Sequence, residues 1–206
     1  MHTNQTGSFQ QIDRGVISYP KSAWRQAMFK APIPMWRLGL GPLIGGFLML
    51  ITHTGRRTGL PRRTVVEYHM LDDEKYAPCA FCPRADWYKN IAIDPYVTIQ
   101  TSHGTESVEA VRISDDQELL DVYHLFLRRD PPLTRWYLKS LRIQDDPADV
   151  LAKKDRIYWF RFDPTDKPTP PHLEADLGWV IPAVSISLFL LWKVLQRLQD
   201  RGQPAA

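Results

Sequence analysis

The spacing of apolar residues along the chain predicts more sheet than helix. "FLMLITHT" (47–54) is apolar without interruption over its first five positions, the mark of a strand covered on both faces. "GRRTGL" follows as a turn whose glycines tolerate positive φ. "PRRTVVEYHML" then alternates and returns as the partner strand. "DDE" turns the chain into "KYAPCAF", a third strand; "YVTIQTS", "HGT" and "ESVEAVRIS" make a hairpin; "RIYWFRFDP" ends the sheet. Helical spacing falls between these runs. "PRADWYKNIAIDP" reads as a short helix stopped near Pro95, "DDQELLDVYHLFLRR" as a longer one capped by Ser114 or Asp115, and "PPLTRWYLKSL" as a third. Near the start, Lys21 to Leu38 interleaves Trp24, Met28, Phe29 and Trp36 with Lys21, Arg25, Lys30 and Arg37. This predicts an amphipathic helix, broken at "APIP", that lies on a membrane or caps the core.

These elements describe a mainly β chain with α (α+β): an antiparallel sheet of about six strands with inserted helices. Such sheets are usually closed as barrels to remove their edges. The expected division is a tail and amphipathic helix over 1–33, a barrel domain over 34–164, a proline-rich linker over 165–176 and an apolar helix over 177–198. The prolines of "TDKPTPPHLEAD" predict an extended spacer. "LGWVIPAVSISLFLLW", Leu177 to Trp192, carries no charge, and Trp179 and Trp192 stand near its ends as interfacial anchors do. Sixteen residues fall short of the roughly 20 that span a bilayer, unless Lys193 snorkels and extends the stretch. The segment predicts attachment at the cytoplasmic face of a membrane, peripheral or through a single C-terminal anchor. A helix docked on the domain or on a partner is the other reading.

Composition changes this picture little. The 206 residues are 44% hydrophobic and 24% charged, ordinary for one globular domain. A net charge of +3 is too small to predict a nucleic-acid partner. No secretory signal opens the chain. The six histidines are scattered without metal-ligand spacing, and no P-loop, G-x-G-x-x-G or hydrolase triad is readable. Cys79 and Cys82 form "CAFC", a redox pair, half a metal site or ordinary packing residues. No metal is expected, and any enzymatic chemistry would be carried by an organic cofactor.

Where basic residues cluster, the signal is stronger. "THTGRRTGLPRRT" (52–64) gathers Arg56, Arg57, Arg62 and Arg63 around one tight turn. Packing gives no reason to collect four mutually repelling guanidiniums, whereas their planar forks suit phosphate and carboxylate. Thr58 adds a hydroxyl and an amide. A solvated basic hairpin, or a site for anionic lipid headgroups, would look the same at this level. "AFCPRADWYKN" is the second candidate: Arg84 precedes a helix start, Trp87 offers a flat surface to a ring, and Asn90 can orient a polar edge.

Taken together these residues resemble the deazaflavin-dependent nitroreductase and quinone reductase family. Its L-x-T-x-G-R-[KR]-[ST]-G-x-P-R pattern is approached by Leu50 to Arg62, with one extra residue between Thr52 and Gly55, and its W-Y-x-N-L-x-A-x-P pattern by Trp87 to Pro95, with Ile91 and Ile93 in the places of its Leu and Ala, within a resemblance spanning roughly Pro34 to Pro164. Two departures are that "AFCPRAD" is shorter than the family's S-K-G-G-type loop and that Val65 replaces a common proline. The resemblance implies a split β-barrel of the FMN-binding, flavin-reductase type. It implies hydride transfer from coenzyme F-420, an 8-hydroxy-5-deazaflavin with a phosphate and an acidic tail, to a quinone or nitro compound. Arg56, Arg57, Thr58 and Arg62 would hold the phosphate and tail, with Arg84 substituting for the lost loop. Ala80 and Phe81 would lie along the ring, and Trp87 and Asn90 would shape its pocket. Tyr123, Trp136 and Tyr137 would line the acceptor pocket, and no side chain need act as a nucleophile. The same barrel with FMN, and a non-catalytic membrane-tethered module binding anions or lipid, are the alternatives. The oligomeric state is not readable.

Overall fold

The computed structural model describes residues 32–201. The N-terminal tail, and the part of the expected amphipathic helix before Pro32, lie outside the described residues. The first described element is α1 (Pro32–Arg37), which begins within the "APIP" stretch, where prolines in a first helical turn remove no hydrogen bond. After the single turn α2 (Gly41–Ile44) come β1 (Leu48–Thr54), β2 (Pro61–Glu67), β3 (His69–Leu71) and β4 (Glu74–Pro78). Helix α3 (Asp86–Ile91) leads to the hairpin of β5 (Tyr96–Thr101) and β6 (Gly104–Arg112). Then come α4 (Asp116–Arg129), α5 (Pro131–Ser140), α6 (Pro147–Ala152), β7 (Trp159–Pro164) and α7 (Val180–Arg201).

All seven strands join one antiparallel sheet in the order β2-β1-β5-β6-β7-β4-β3. The ladder is open, so the sheet is not a closed barrel. Its two edge strands, β2 and β3, are nevertheless consecutive in sequence and separated by Tyr68 alone. The sheet must therefore curl until its edges come together at that residue. What the alternation of "PRRTVVEYHML" predicts as one strand is divided at Tyr68 into strands on opposite edges. Tyr68 is held there by donating its amide to Phe47 O and its hydroxyl to Gly45 O, at 3.2 and 2.8 Å.

Gly45 has room for no side chain. Its carbonyl also accepts from Ser102 N, and a Cβ would lie 2.4 Å from that nitrogen and 2.6 Å from Thr101 C. Gly45→Ala must push the end of β5 aside, which should cost about 1–3 kcal/mol and register as a lower midpoint in urea unfolding.

Three apolar clusters fix the layers. Met49, Ile51, Val97, Ile99 and Phe160 fill the concave side of the sheet with Ile91 of α3. Leu119, Val122, Phe126 and Leu138 of α4 and α5 pack on Tyr76 and Trp159. Trp36 and Leu173 cover Leu50 on the convex side. β1 is thus buried on both faces, the reason its sequence does not alternate.

The chain after β7 is extended and lies across the convex face. Thr98 Oγ1 donates to Pro170 O, Gln100 Nε2 to Leu173 O at 3.0 Å, and Leu173 N to Gln100 Oε1 at 2.8 Å. Asp176 N donates to Arg37 O and Trp179 Nε1 to Leu38 O, rooting the base of α7 beside α1.

The expected membrane anchor is corrected by the same region. No helix among the described residues is long and apolar enough to cross a membrane. Helix α7 has 22 residues, but its uncharged stretch stops at Lys193 and continues into Arg197, Asp200 and Arg201. A localisation at a membrane through this segment is not supported.

Candidate functional site

The four arginines of the β1–β2 turn have different positions. The turn itself forms because Thr58 N and Gly59 N both donate to Gly55 O, with Gly59 at φ +66°, a conformation that glycine adopts without strain. Strand alternation sends Arg62 and Arg63 to opposite faces of the sheet. Arg62 stands opposite His53 in the ladder, towards α3. Arg63 stands opposite Thr52 and lines a groove on the convex side with Arg37 and His172.

Arg56 is tied down. Its guanidinium meets Asp86 Oδ1 at 2.9 Å and Asn90 Oδ1 at 2.9 Å, and its amide donates to the same Asn90 oxygen at 3.2 Å. Asn90 is buried, and its Nδ2 donates to His53 Nδ1 at 3.0 Å. His53 on β1, Asn90 on α3 and Arg56 in the turn therefore form one chain of hydrogen bonds. Burial lowers the His53 pKa to about 4, helped by the charge of Arg62 and opposed by a backbone hydrogen bond at Thr54 and by Asp86. A neutral His53 is what the chain requires, since its Nδ1 must accept. Nothing in the histidine spacing singled out His53; its place beside the arginine turn was the available signal.

Arg57 and Arg62 are exposed, and their side chains make no hydrogen bond or ion pair among the described residues. Thr58 is exposed too, its Oγ1 accepting from Leu60 N at 3.3 Å. The turn thus offers two unengaged cationic forks on a base that Arg56 anchors. That donor set fits a phosphate or carboxylate.

The second candidate segment lies between the turn and the α5 side of the fold. Cys79 and Cys82 are joined in a disulfide, both buried, and Cys79 N donates to Tyr158 O at 2.8 Å. Arg84 N and Ala85 N donate to Phe81 O and start α3. Phe81 and Trp87 are half-buried against the concave core, Trp87 meeting Phe160 edge-on at 5.5 Å. Arg84 is exposed at the beginning of α3.

Ala80 opens instead into a cleft of about 50 Å³, walled by Pro78, Phe126, Leu133, Trp136, Tyr137 and Trp159. Trp136 and Tyr137 are thus brought together with Ala80. Tyr123 is not: it points to the α6 side and donates to Asp145. Tyr137 is not a free hydroxyl, since its oxygen accepts from Tyr158 N at 3.1 Å. Burial raises its pKa. Glu67, at the end of β2, reaches the same cleft and approaches His69 Nε2 at 3.2 Å without a hydrogen-bonding angle. No metal-binding cluster exists among the described residues.

A family model described as F420H(2)-dependent quinone reductase matches residues 38–132, a little under half of the chain. No curated protein matches the sequence. Among solved structures, an F420-H2 dependent reductase aligns at 17% identity and TM-score 0.44, covering 56% of this chain and 93% of its own. The heme storage protein HutZ of Vibrio cholerae aligns at 14% and 0.41, covering 68% and 92%. A conserved hypothetical protein of Mycobacterium tuberculosis aligns at 14% and 0.40, covering 79% and 95%. The matched segment holds the arginine turn, the disulfide loop and α3 in full. Residues 38–132 are thus similar to the F420H(2)-dependent quinone reductase family, a likeness that supports an oxidoreductase with coenzyme F-420 as its cofactor.

Proposed function

We propose that the protein reduces a quinone or nitro-type acceptor, and that the β1–β2 turn grips the anionic end of the deazaflavin cofactor in a sheet of the split-barrel, FMN-binding type. The observation that carries this reading is the contrast between Arg56, engaged by Asp86 and Asn90, and Arg57 and Arg62, whose side chains have no hydrogen-bond or ion-pair partner among the described residues. Arg56 is then a tether that sets the turn, and Arg57, Arg62 and Thr58 supply the donors. Ala80, Phe81, Trp87 and Asn90 belong to the ring side, with Arg84 at its margin.

When bound, the cofactor supplies hydride; the chain's own residues bind, orient and exclude water. The acceptor belongs at the cleft beside Ala80, whose walls are aromatic. At about 50 Å³ the cleft is smaller than the ~150 Å³ that encloses a benzene ring. An acceptor ring therefore enters edge-on, or with Trp136, which is 48% exposed, turned aside.

Titration of the purified protein, followed by deazaflavin fluorescence for F-420 and by flavin fluorescence for FMN, tests the reading. Saturable binding of F-420 is expected, with FMN weaker. Each charge-assisted hydrogen bond contributes about 1.5–3 kcal/mol, so Arg57→Ala and Arg62→Ala should each weaken F-420 binding about tenfold or more. Unfolding midpoints should barely move, because neither side chain has a partner to lose. Unchanged affinity in the double variant would show that the turn does not hold the cofactor.

A further inference from the structure

The structure's only cross-link among the described residues sits in the loop that joins the two halves of the site. Cys79 follows β4, Cys82 precedes Pro83, and the two residues between them are Ala80, in the acceptor cleft, and Phe81. One end of this loop is fixed to the residue just before β7 by Cys79 N donating to Tyr158 O. The other end passes through the Phe81 carbonyl, which accepts from Arg84 N and Ala85 N, into α3, whose Asp86 and Asn90 hold Arg56. A path of covalent and hydrogen-bonded links thus runs from the disulfide to the base of the arginine turn.

A bridge over two intervening residues removes little freedom from the unfolded chain, so it does little for the fold as a whole. Its effect is local. We propose that the Cys79–Cys82 disulfide is a redox-sensitive positioning element of the cofactor site. Closed, it holds Ala80 and Phe81 in place and keeps α3 in register with Arg56. Opened to the dithiol by a dithiol reductant, it lets the loop relax and weakens cofactor binding while the fold persists. The exchange balances: two electrons and two protons pass from the reductant, which becomes a disulfide, to the two sulfurs. Both cysteines are buried in the same apolar cluster as Ala77, Ala85 and Ile91, so exchange requires the loop to move. Linkage makes the effect reciprocal: a cofactor that prefers the closed loop must make the pair harder to reduce by the same factor.

This inference rests on the cofactor reading proposed for the arginine turn, and two measurements on the full chain test it. The first is the dissociation constant for F-420 of oxidised protein and of protein reduced with a phosphine, with thiols counted by alkylation and mass. We expect about tenfold weaker binding after reduction, unchanged far-ultraviolet circular dichroism, and a Cys79→Ser, Cys82→Ser variant that binds weakly and ignores reductant. The second is the midpoint of the pair in dithiol redox buffers with and without F-420. A tenfold preference of the cofactor for the closed loop shifts this two-electron midpoint by about 30 mV to more negative potential. Equal affinity of the oxidised and counted-dithiol forms, an unmoved midpoint at saturating F-420, or loss of native circular dichroism on reduction would each overturn the proposal. If the native pair resists reduction, the serine variant decides: affinity equal to that of the oxidised protein rejects it. Failure of oxidised protein to bind F-420 at all would instead reject the cofactor reading on which it stands.

Discussion

Acidification from pH 6.5 to pH 4 will remove about 3 kcal/mol of folding stability through His53 alone. In the unfolded chain this imidazole titrates near 6.5; in the folded protein burial holds it down to about 4. A group whose folded pKa is depressed is protonated in the unfolded state first. Stability is therefore complete above pH 6.5 and declines as pH falls towards 4, where the folded form also takes up the proton. The depression of roughly 2.5 units corresponds to about 3 kcal/mol at 1.36 kcal/mol per unit. Urea unfolding at pH 7, 5.5 and 4.5 measures the loss. Carboxylates such as Asp145 also lose stabilising partners in acid, so the comparison that isolates His53 is with His53→Gln. The amide oxygen of glutamine can still accept from Asn90 Nδ2 but does not titrate, so the variant should show a shallower fall. Parallel curves for the two proteins would mean that His53 is not held neutral by burial.

Trp159→Ala will destabilise the fold more than any other truncation in the aromatic cluster, by about 3–5 kcal/mol. The indole is 1% exposed, stacked between Phe126 at 5.3 Å and Tyr137 at 6.0 Å, and forms the floor of the cleft beside Ala80. Its removal leaves a void that α4, α5 and β7 cannot all collapse to fill. For a domain of this size the melting temperature should drop by roughly 10 °C. Because the void adjoins the cleft, added indole should recover part of the loss, which thermal melts with and without indole would show. A variant as stable as the parent would mean that the cleft is not packed around this indole.

How much of the fold was legible in the sequence depends on whether the cause is local. The alternation of "ESVEAVRIS" and the unbroken apolar run of "LMLI" are local properties, and they locate β6 and β1 correctly. The β3–β4 turn is also local: Asp72 and Asp73 both take positive φ, which aspartate tolerates. The division of β2 from β3 is not, because it is imposed by Phe47 and Gly45, some twenty residues away, which hold Tyr68. Helix α6 had a readable signal in Asp146, whose side chain accepts from Asp149 N, followed by Pro147 at the first position. The arginine turn was visible as an electrostatic anomaly, but the separate positions of its members depend on α3 packing against β1, a contact between distant segments. Tyr123 shows the converse: it is expected at the acceptor pocket with Trp136 and Tyr137, and its hydroxyl donates to Asp145, a partner that no local pattern in the sequence indicates.

The segment after β7 also bears on synthesis. Thr98 and Gln100 emerge from the ribosome some seventy residues before their partners Thr169, Pro170 and Leu173. Until that stretch has been made, Thr98 and Gln100 lack these partners, and Leu50 has Trp36 but not Leu173 over it. The nascent domain can assemble its concave core early, yet its convex face is finished only by a segment made after all seven strands. Ribosome stalling before Leu173 should thus yield a chain with its strands paired and one side only partly covered, a form that chaperones recognise by exposed apolar surface.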